Sequence, residues 1–198
     1  ADVSAALAGT LGDTYTGTVE ATNSQSAADG VTAVNALAGK TTGNVTATLS
    51  GTAAQLGSLN TAATDVITVT ATSVPTGADG VTFVNALAGK TAGNVTATVS
   101  GTAAQLALLT TAATDVLTVT VSDAHDLAQL KAINDATAGT ITLNSYAVGL
   151  SGTMADVSAA LAGTLGDTYT GTAAATDAQT GADGVTAVNA LAGKTTGN

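Results

Sequence analysis

Three aspartates stand where a divalent cation could be held between successive turns of the chain. Asp65, Asp115 and Asp167 each come directly before a stretch that has the period of a β-strand. Carboxylates and main-chain carbonyls are the oxygen ligands that calcium prefers, so these residues are the metal-site candidates. The alternative is that they form turns and caps, a common use of aspartate. The sequence has no Gly-Gly-x-Gly-x-Asp calcium repeat, and both interpretations stay open.

The motif Gly-Lys-Thr occurs at residues 39–41, 89–91 and 193–195. It matches the end of a phosphate-binding loop, but that loop needs a glycine five residues before Gly39, where the chain has Val34. Each copy follows a stretch of helical periodicity, and a lysine there complements the negative end of the helix dipole. We therefore interpret the motif as a helix end and predict no nucleotide cofactor.

The remaining polar residues do not assemble a reaction centre. The sequence shows no Ser/His/Asp arrangement and no paired carboxylates of a cleft, so we predict that the protein is not an enzyme. His125 is the only histidine, and we expect it at the surface or at a cap. Residues 44–46 and 94–96 match the acceptor sequence for N-glycosylation, which is also expected by chance in a repeat rich in Asn and Thr.

Composition excludes several classes of partner. The chain has 4 basic and 14 acidic residues and a formal net charge of -10. A basic groove for phosphate is absent, so we predict no nucleic-acid partner, and anionic membranes are disfavoured for the same reason. With no cysteine there are no disulfides or thiolate metal sites. No apolar run is long enough for a membrane span.

The sequence repeats on two scales. Residues 28–72 align without gaps on residues 78–122, with 36 identities in 45 positions. Residues 1–44 align on residues 155–198, with 38 identities in 44 positions. The second offset is 155 − 1 = 154 residues, so the chain completes one large period and begins another. Repetition of this kind is typical of solenoids, in which each repeat contacts only its neighbours.

Short strands recur once in each repeat, with threonine at alternate positions. In the run at residues 45–49, Val45, Ala47 and Leu49 point to one side while Thr46 and Thr48 point to the other. A sheet covered on both faces would be apolar throughout, so only one face of this sheet is predicted to be covered. The other face is predicted to carry an exposed threonine ladder: Thr46, Thr48, Thr68, Thr70, Thr96, Thr98, Thr118 and Thr120.

Between the strands lie stretches with helical spacing. Val31, Val34 and Leu37 are three residues apart, and residues 52–65 show the same period, which predicts helices of two to three turns. One strand plus one helix makes a coil of about 25 residues, and six coils fill the 154-residue period. The sequence therefore predicts an α/β solenoid with a single parallel sheet, and an all-β solenoid is the structural alternative.

The spacing of the layers predicts a distortion. Strands stack about 4.8 Å apart, whereas packed helices prefer about 8–10 Å. We therefore expect curvature, superhelical twist, or helices shortened to single turns. As to organisation, residues 1–198 are predicted to be one continuous solenoid segment whose second period begins at residue 155. Neither end has the polar capping repeat of a natural solenoid, so we expect part of a longer array or filament.

The tandem order of three motifs resembles the repeats of giant secreted bacterial surface and matrix proteins, adhesin-like ones included. The motifs are LSGTAAQL, ATDVLTVTVSD and NALAGKT. The resemblance implies a structural role outside the cell or at its surface, as a matrix fibre, stalk or adhesin spacer. Its partners would be neighbouring copies of the same repeat, end to end and laterally.

Two other functions stay open at this point. A regular threonine face resembles that of ice-binding solenoids. Alternatively, a small subunit could assemble end to end into a filament.

Overall fold

The computed structural model describes residues 15–197 of the chain. Within that range one compact unit runs to Pro75 and includes Thr82–Thr98, and a second consists of Thr76–Val81 and the residues from Val99 onwards. In both units parallel strands alternate with helices, which confirms the predicted α/β class and the parallel pairing. The all-β alternative is wrong, because helices of up to 12 residues lie between the strands.

The first unit begins with two very short strands and a long helix. Its elements are β1 Val19–Glu20, β2 Gln25–Ser26, α1 Ala27–Ala38, β3 Val45–Thr52, α2 Ala53–Leu56 and β4 Val66–Ser73. Strands β1 and β2 both pair with β3, and β3 pairs with β4. Helix α3 (Ala78–Ala88) and strand β5 (Val95–Gly101) contribute residues to both units.

The second unit contains shorter strands. Its further elements are α4 Ala103–Leu106, β6 Val116–Val121, α5 Leu127–Asp135, β7 Thr140–Thr142, β8 Leu150–Gly152, α6 Met154–Ala160, β9 Thr164–Leu165, β10 Ala173–Ala175 and α7 Gly181–Ala192. Strand β7 pairs with β6 and with β9, while β8 and β10 form a separate two-stranded sheet. The repeat pattern did not predict β8. Strands β7 and β8 together correspond to the single strand β3, and the loop at residues 143–149 separates them.

Helix length differs between successive coils of the first unit. This difference accommodates the mismatch between the spacing of paired strands and the wider spacing of packed helices. Helix α1 has 12 residues and α2 only 4. The helix predicted over residues 52–65 is thus a single turn, stabilised by a capping box. The Thr52 hydroxyl accepts from the Gln55 N–H, and Gln55 Oε1 accepts from the Thr52 N–H at 2.9 Å. A single turn beside a long helix needs less room than a second long helix, so strand spacing is preserved.

The core is the inner face of the sheet together with the facing sides of the helices. In β3, and in β4 as far as Ala71, every second residue is buried and the residues between them face outward. Helix α1 buries Val31, Val34 and Leu37 at the predicted spacing. Most of these side chains are Val, Leu or Ala, which suits a thin layer between sheet and helix.

Candidate functional site

The threonines of the predicted ladder lie on the outer face of β3, β4, β5 and β6. Thr46 and Thr96 are half-buried. The exposed ones are Thr48, Thr68, Thr70, Thr98, Thr118 and Thr120. In each unit the outward side of these strands is therefore rich in hydroxyls, and the opposite side is the buried core.

The strand register staggers this face. Thr48 lies beside Thr68, and Thr70 lies beside Thr96, whereas Thr46 lies beside the exposed Val66. If the first threonines of neighbouring strands were paired, Thr46 would lie beside Thr68; the observed register is shifted from this by two residues. A shift of two residues keeps each side chain on the same face of the sheet but changes the residue beside it. Because Val66 occupies a position beside Thr46 where a regular ladder would have threonine, the pattern of hydroxyls is less regular than the sequence spacing predicts.

A second set of threonines is buried between coils, and Thr91 shows its geometry most fully. Its hydroxyl accepts from the Ile67 N–H at 2.7 Å and from the Gly93 N–H at 2.8 Å. The same oxygen lies 2.8 Å from the Ile67 carbonyl and 3.0 Å from that of Asp65, so its proton has an acceptor. The bonds to residues 65 and 67 join this coil to the coil before it, and the bond from the Gly93 N–H fixes the turn within the same coil. We call this arrangement a threonine clasp.

The threonine clasp recurs in both units. Thr137 accepts from the Leu117 N–H at 2.7 Å and the Gly139 N–H at 2.8 Å. Thr41 and Thr195 each accept from the N–H two residues later and donate to a carbonyl 24 residues earlier, at 2.7 Å and 2.6 Å. The sequence signal is Thr-x-Gly, which the search for alternating threonines passed over.

The glycine of the Thr-x-Gly motif is needed because the backbone passes very close to the preceding strand. A Cβ atom at Gly93 would lie 2.5 Å from the main chain of Ile67, closer than carbon atoms approach. The Gly-Lys-Thr motif therefore ends a helix and begins a clasp. Its Lys90 ammonium donates to the Leu59 carbonyl of the preceding coil.

The three calcium candidates do not come together. Asp65 is buried, and its oxygens accept from the Val45 N–H at 2.7 Å and the Ala62 N–H at 2.8 Å. Asp115 is also buried and accepts from the Ala112 N–H at 2.9 Å. Asp167 is exposed and accepts from the N–H of the next residue at 2.7 Å.

Asp65 and Asp115 each accept a hydrogen bond from the N–H three residues earlier. Both therefore stabilise turns, which was the alternative to calcium binding. Across residues 15–197, His, Cys, Asp and Glu side chains form no group of three that could hold a metal ion. Calcium binding stays a prediction.

His125 is buried, so a place at the surface is wrong, but it lies directly before Asp126, the N-cap of α5. The Tyr169 hydroxyl donates to the Val148 carbonyl at 2.6 Å, so the His125 Nε2–H, 3.2 Å from that hydroxyl, is the donor in the second bond. Nδ1 then carries the lone pair, and it is buried without a partner among the described residues. Burial lowers the pKa of His125, against the opposing influence of Asp126 and Asp123. Burial also raises the pKa of Tyr169 to about 12.

Helices α1 and α7 carry the same sequence from residue 28 and from residue 182, but their surroundings differ. Val31 and Val34 are 1% and 0% exposed, and Asn35 bonds to the next coil through the Ser58 carbonyl at 2.8 Å and the Asn60 N–H at 2.7 Å. The equivalent Val185 and Val188 are 64% and 45% exposed. We call the side of each helix formed by these residues its forward face. It consists of Val31, Val34 and Asn35 in α1, and of Val185, Val188 and Asn189 in α7.

Comparison with protein-family models, with curated proteins and with solved structures finds no match to this chain. In the part of the chain that the structure describes, no helix has both the length and the apolar character required to cross a bilayer.

Proposed function

We propose that this chain is a segment of an extracellular structural filament, in which stacked α/β coils form a solenoid rod. The observation that carries the proposal is the repeated joint between coils. Strands β4 and β5 of the first unit pair in parallel, as do β6 and β7 of the second, and at each of these joints a buried threonine clasp bonds the later coil to the earlier one.

The joint supports a mechanical role because the clasp recurs along the described chain, at Thr41, Thr91, Thr137 and Thr195. The clasps of Thr91 and Thr137 bind both an N–H and a C=O group of the preceding strand, in addition to the strand pairing itself. Inner-face residues are almost fully buried, at a gain of roughly 25 cal/mol per Å² of apolar surface. In a solenoid such terms add along the axis, so resistance to unfolding rises with the number of coils.

The placement outside the cell rests on composition. A cysteine-free, acidic chain with few cations is compatible with secretion and with the resemblance to surface and matrix repeats. In that setting the outer threonine face would be the lateral surface of the rod. A matrix fibre, a surface stalk and an adhesin spacer would all be built from the same type of rod.

The test is to lengthen the chain by whole periods of 154 residues and measure particle length by small-angle scattering and electron microscopy. Each added period of six coils is expected to lengthen the rod by about 29 Å, at about 4.8 Å per strand. Urea unfolding midpoints are expected to rise with each added period. A particle that grows equally in all directions would overturn the rod.

Ice binding is the second candidate, and the exposed hydroxyls of β4 are the observation in its favour. Thermal hysteresis that is lost when Thr68 and Thr118 are replaced by Tyr would establish it. No hysteresis in the parent chain would remove it and leave the filament proposal unaffected.

A further inference from the structure

Asn44 and Asn94 are the asparagines that begin the two glycosylation acceptor sequences, and both lie at the surface of the first unit. Each stands directly before a strand, β3 or β5, and three residues after a clasp threonine. We propose that both asparagines carry N-linked glycans, and that a groove beside Asn44 holds the first sugar of its glycan. The inference rests on the export of the chain that the proposed function includes, because glycans are attached in this way to exported proteins.

The first argument is that the fold presents both asparagines in the same way. A clasp fixes the turn before each of them, through the N–H of Gly43 at 2.9 Å and of Gly93 at 2.8 Å. Both asparagines are exposed, and neither side-chain amide has a hydrogen-bond partner among residues 15–197. Asn35 is different, because its amide bonds to residues 58 and 60, and it begins no acceptor sequence. A glycan on Asn44 or Asn94 therefore breaks no side-chain bond to a described residue.

The second argument is a polar groove of about 420 Å³ that lies beside Asn44, within the first unit. Its lining includes Thr42, Asn60 and Thr64, which are exposed and whose side chains make no hydrogen bond to another described residue. The volume is in the range of small-molecule sites. Hydroxyl and amide groups both donate and accept, so they complement the hydroxyls and the acetamido group of an N-acetylhexosamine. The first sugar on Asn44 would lie among these groups.

The attachment is a glycosyl transfer from an oligosaccharide that is linked to a lipid pyrophosphate. The asparagine Nδ2 forms a bond to the anomeric carbon of the first sugar, and the bond from that carbon to the pyrophosphate oxygen breaks. The lipid pyrophosphate leaves with the bonding electrons, and the amide loses one proton to a base of the transferase. The product is a neutral amide that carries one sugar chain.

In this chain the transfer must precede the pairing of β3. The transferase reads the threonine of the acceptor sequence as well as the asparagine. In the folded chain that residue, Thr46, is half-buried, and its carbonyl accepts from the Ala21 N–H at 2.8 Å. The Val45 N–H donates to the Asp65 carboxylate at 2.7 Å. The acceptor segment is therefore held by the fold, while the asparagine side chain before it stays exposed.

The first experiment is mass spectrometry of the full protein purified from its source, on peptides that cover positions 44 and 94. We expect a glycan that begins with an N-acetylhexosamine on each of these asparagines. Asn60 and Asn144 are the internal controls, because both are exposed but begin no acceptor sequence, and they should be unmodified. Unmodified asparagine at position 44 or 94 would overturn the inference for that position.

The second experiment tests the groove. The full chain is secreted from a eukaryotic expression host and trimmed with an endoglycosidase that leaves one N-acetylglucosamine on each asparagine. Asn44→Gln removes the sugar beside the groove, and Asn94→Gln removes the other. The trimmed parent is expected to melt about 2–4 °C above Asn44→Gln, as one or two added hydrogen bonds would produce. Asn60→Ala in both proteins should reduce this difference to near zero.

The same variants made without glycans measure the effect of each substitution alone, and circular dichroism checks that each is folded. A sugar at position 44 that leaves the melting temperature unchanged would overturn the role of the groove. So would a difference that survives Asn60→Ala.

The outcomes also separate this inference from the proposed rod. If neither asparagine is modified but the particle lengthens by about 29 Å with each added period, the rod stands and the inference fails. If both asparagines carry glycans but the particle grows equally in all directions, the glycan sites stand and the rod fails.

Discussion

The two copies of the repeated segment, residues 15–44 and residues 169–197, have nearly the same sequence but opposite exposed sides. In the first copy the forward face of α1 is buried, and the Tyr15 ring is exposed. In the second copy Tyr169 is buried beneath His125, and the forward face of α7 is exposed. The clasps of Thr41 and Thr195 are the same in both.

This difference teaches that a coil has two sides with separate partners. Backward contacts, made by the threonine clasp, depend on the strand before it. Forward contacts, made by two valines and an asparagine, depend on the coil after it. Burial of a residue in this chain therefore depends on the segments packed against it as well as on its own sequence.

The largest expected effect comes from charging the forward face. Val34→Asp places an unpaired charge in the core and should lower the free energy of unfolding by at least about 3 kcal/mol. Val188→Asp, at the matched position of α7, should change it by less than about 0.5 kcal/mol. Urea unfolding in dilute solution, where chains are separate, measures both. Equal losses would show that the two faces are covered alike.

The clasp should show no such asymmetry. Thr41→Val and Thr195→Val each leave a glycine N–H and a carbonyl without their partner, which should cost about 2 kcal/mol in each case. Thr68→Val, on the outer face, serves as the control and should have little effect. Hydrogen exchange at the Gly43 and Gly197 amides provides the local measurement. If only one of the two variants is destabilised, the joints at the two copies are different.

The asparagine should repeat the asymmetry of the valines at smaller size. Asn35→Ala removes bonds to the main chain of residues 58 and 60 and should cost about 1 kcal/mol. Asn189→Ala should have an effect near zero in the separate chain. Thermal melting of the pair, with each protein at the same concentration, makes the comparison. If Asn189→Ala lowered the melting temperature as much as Asn35→Ala, the contrast between the two forward faces would be wrong.

The start of each long helix provides another matched pair. Ala27 has φ 55°, a left-handed conformation, where the two other copies have Gly77 at φ 68° and Gly181 at φ 69°. Ala27→Gly should therefore stabilise the chain by about 0.5–1 kcal/mol, and Gly181→Ala should destabilise it by a similar amount. Opposite shifts of the melting temperature are the expected outcome, and shifts of the same sign would refute the strain argument.

The pH dependence of the buried ring pair should be the smallest effect. The pKa of His125 is lowered in the fold, so the unfolded chain binds more protons near the ordinary His pKa of about 6.5. The stability that depends on His125 is complete above that pH and is lost as the pH falls below it. Unfolding midpoints between about pH 7.5 and 5.5 should fall more in the parent than in His125→Gln. Parallel curves would mean that His125 titrates alike in both states.

Periodicity predicted much of the fold because burial on one side of a strand or helix imposes a period on the sequence. The alternation in β3 and the three-residue spacing in α1 both correspond to buried positions. The single turn at α2 and the divided strand at β7 and β8 were not predicted. The lengths of these elements depend on the space that the adjacent coils leave. The hydrophobic periodicity of the sequence carries no information about that space.

The candidate site was harder to predict. The exposed threonines were found because alternation makes them visible, but the clasp threonines are single residues whose role depends on a strand at least 20 residues away. His125 was expected at the surface or at a cap, because an isolated histidine gives no sign of the Tyr169 hydroxyl to which it is hydrogen-bonded.

The sequence by itself determined the α/β class, the direction of strand pairing, and which side of each strand faces the core, because these follow from local period and from repetition. Only the tertiary structure decided the stagger of the threonine face, the Thr-x-Gly joint, and the contrast between α1 and α7. The physical reason is that register, close backbone approach and burial are set between segments distant in the chain. Helices α1 and α7 are identical after their first residue, so the different burial of their valines comes from what is packed against them.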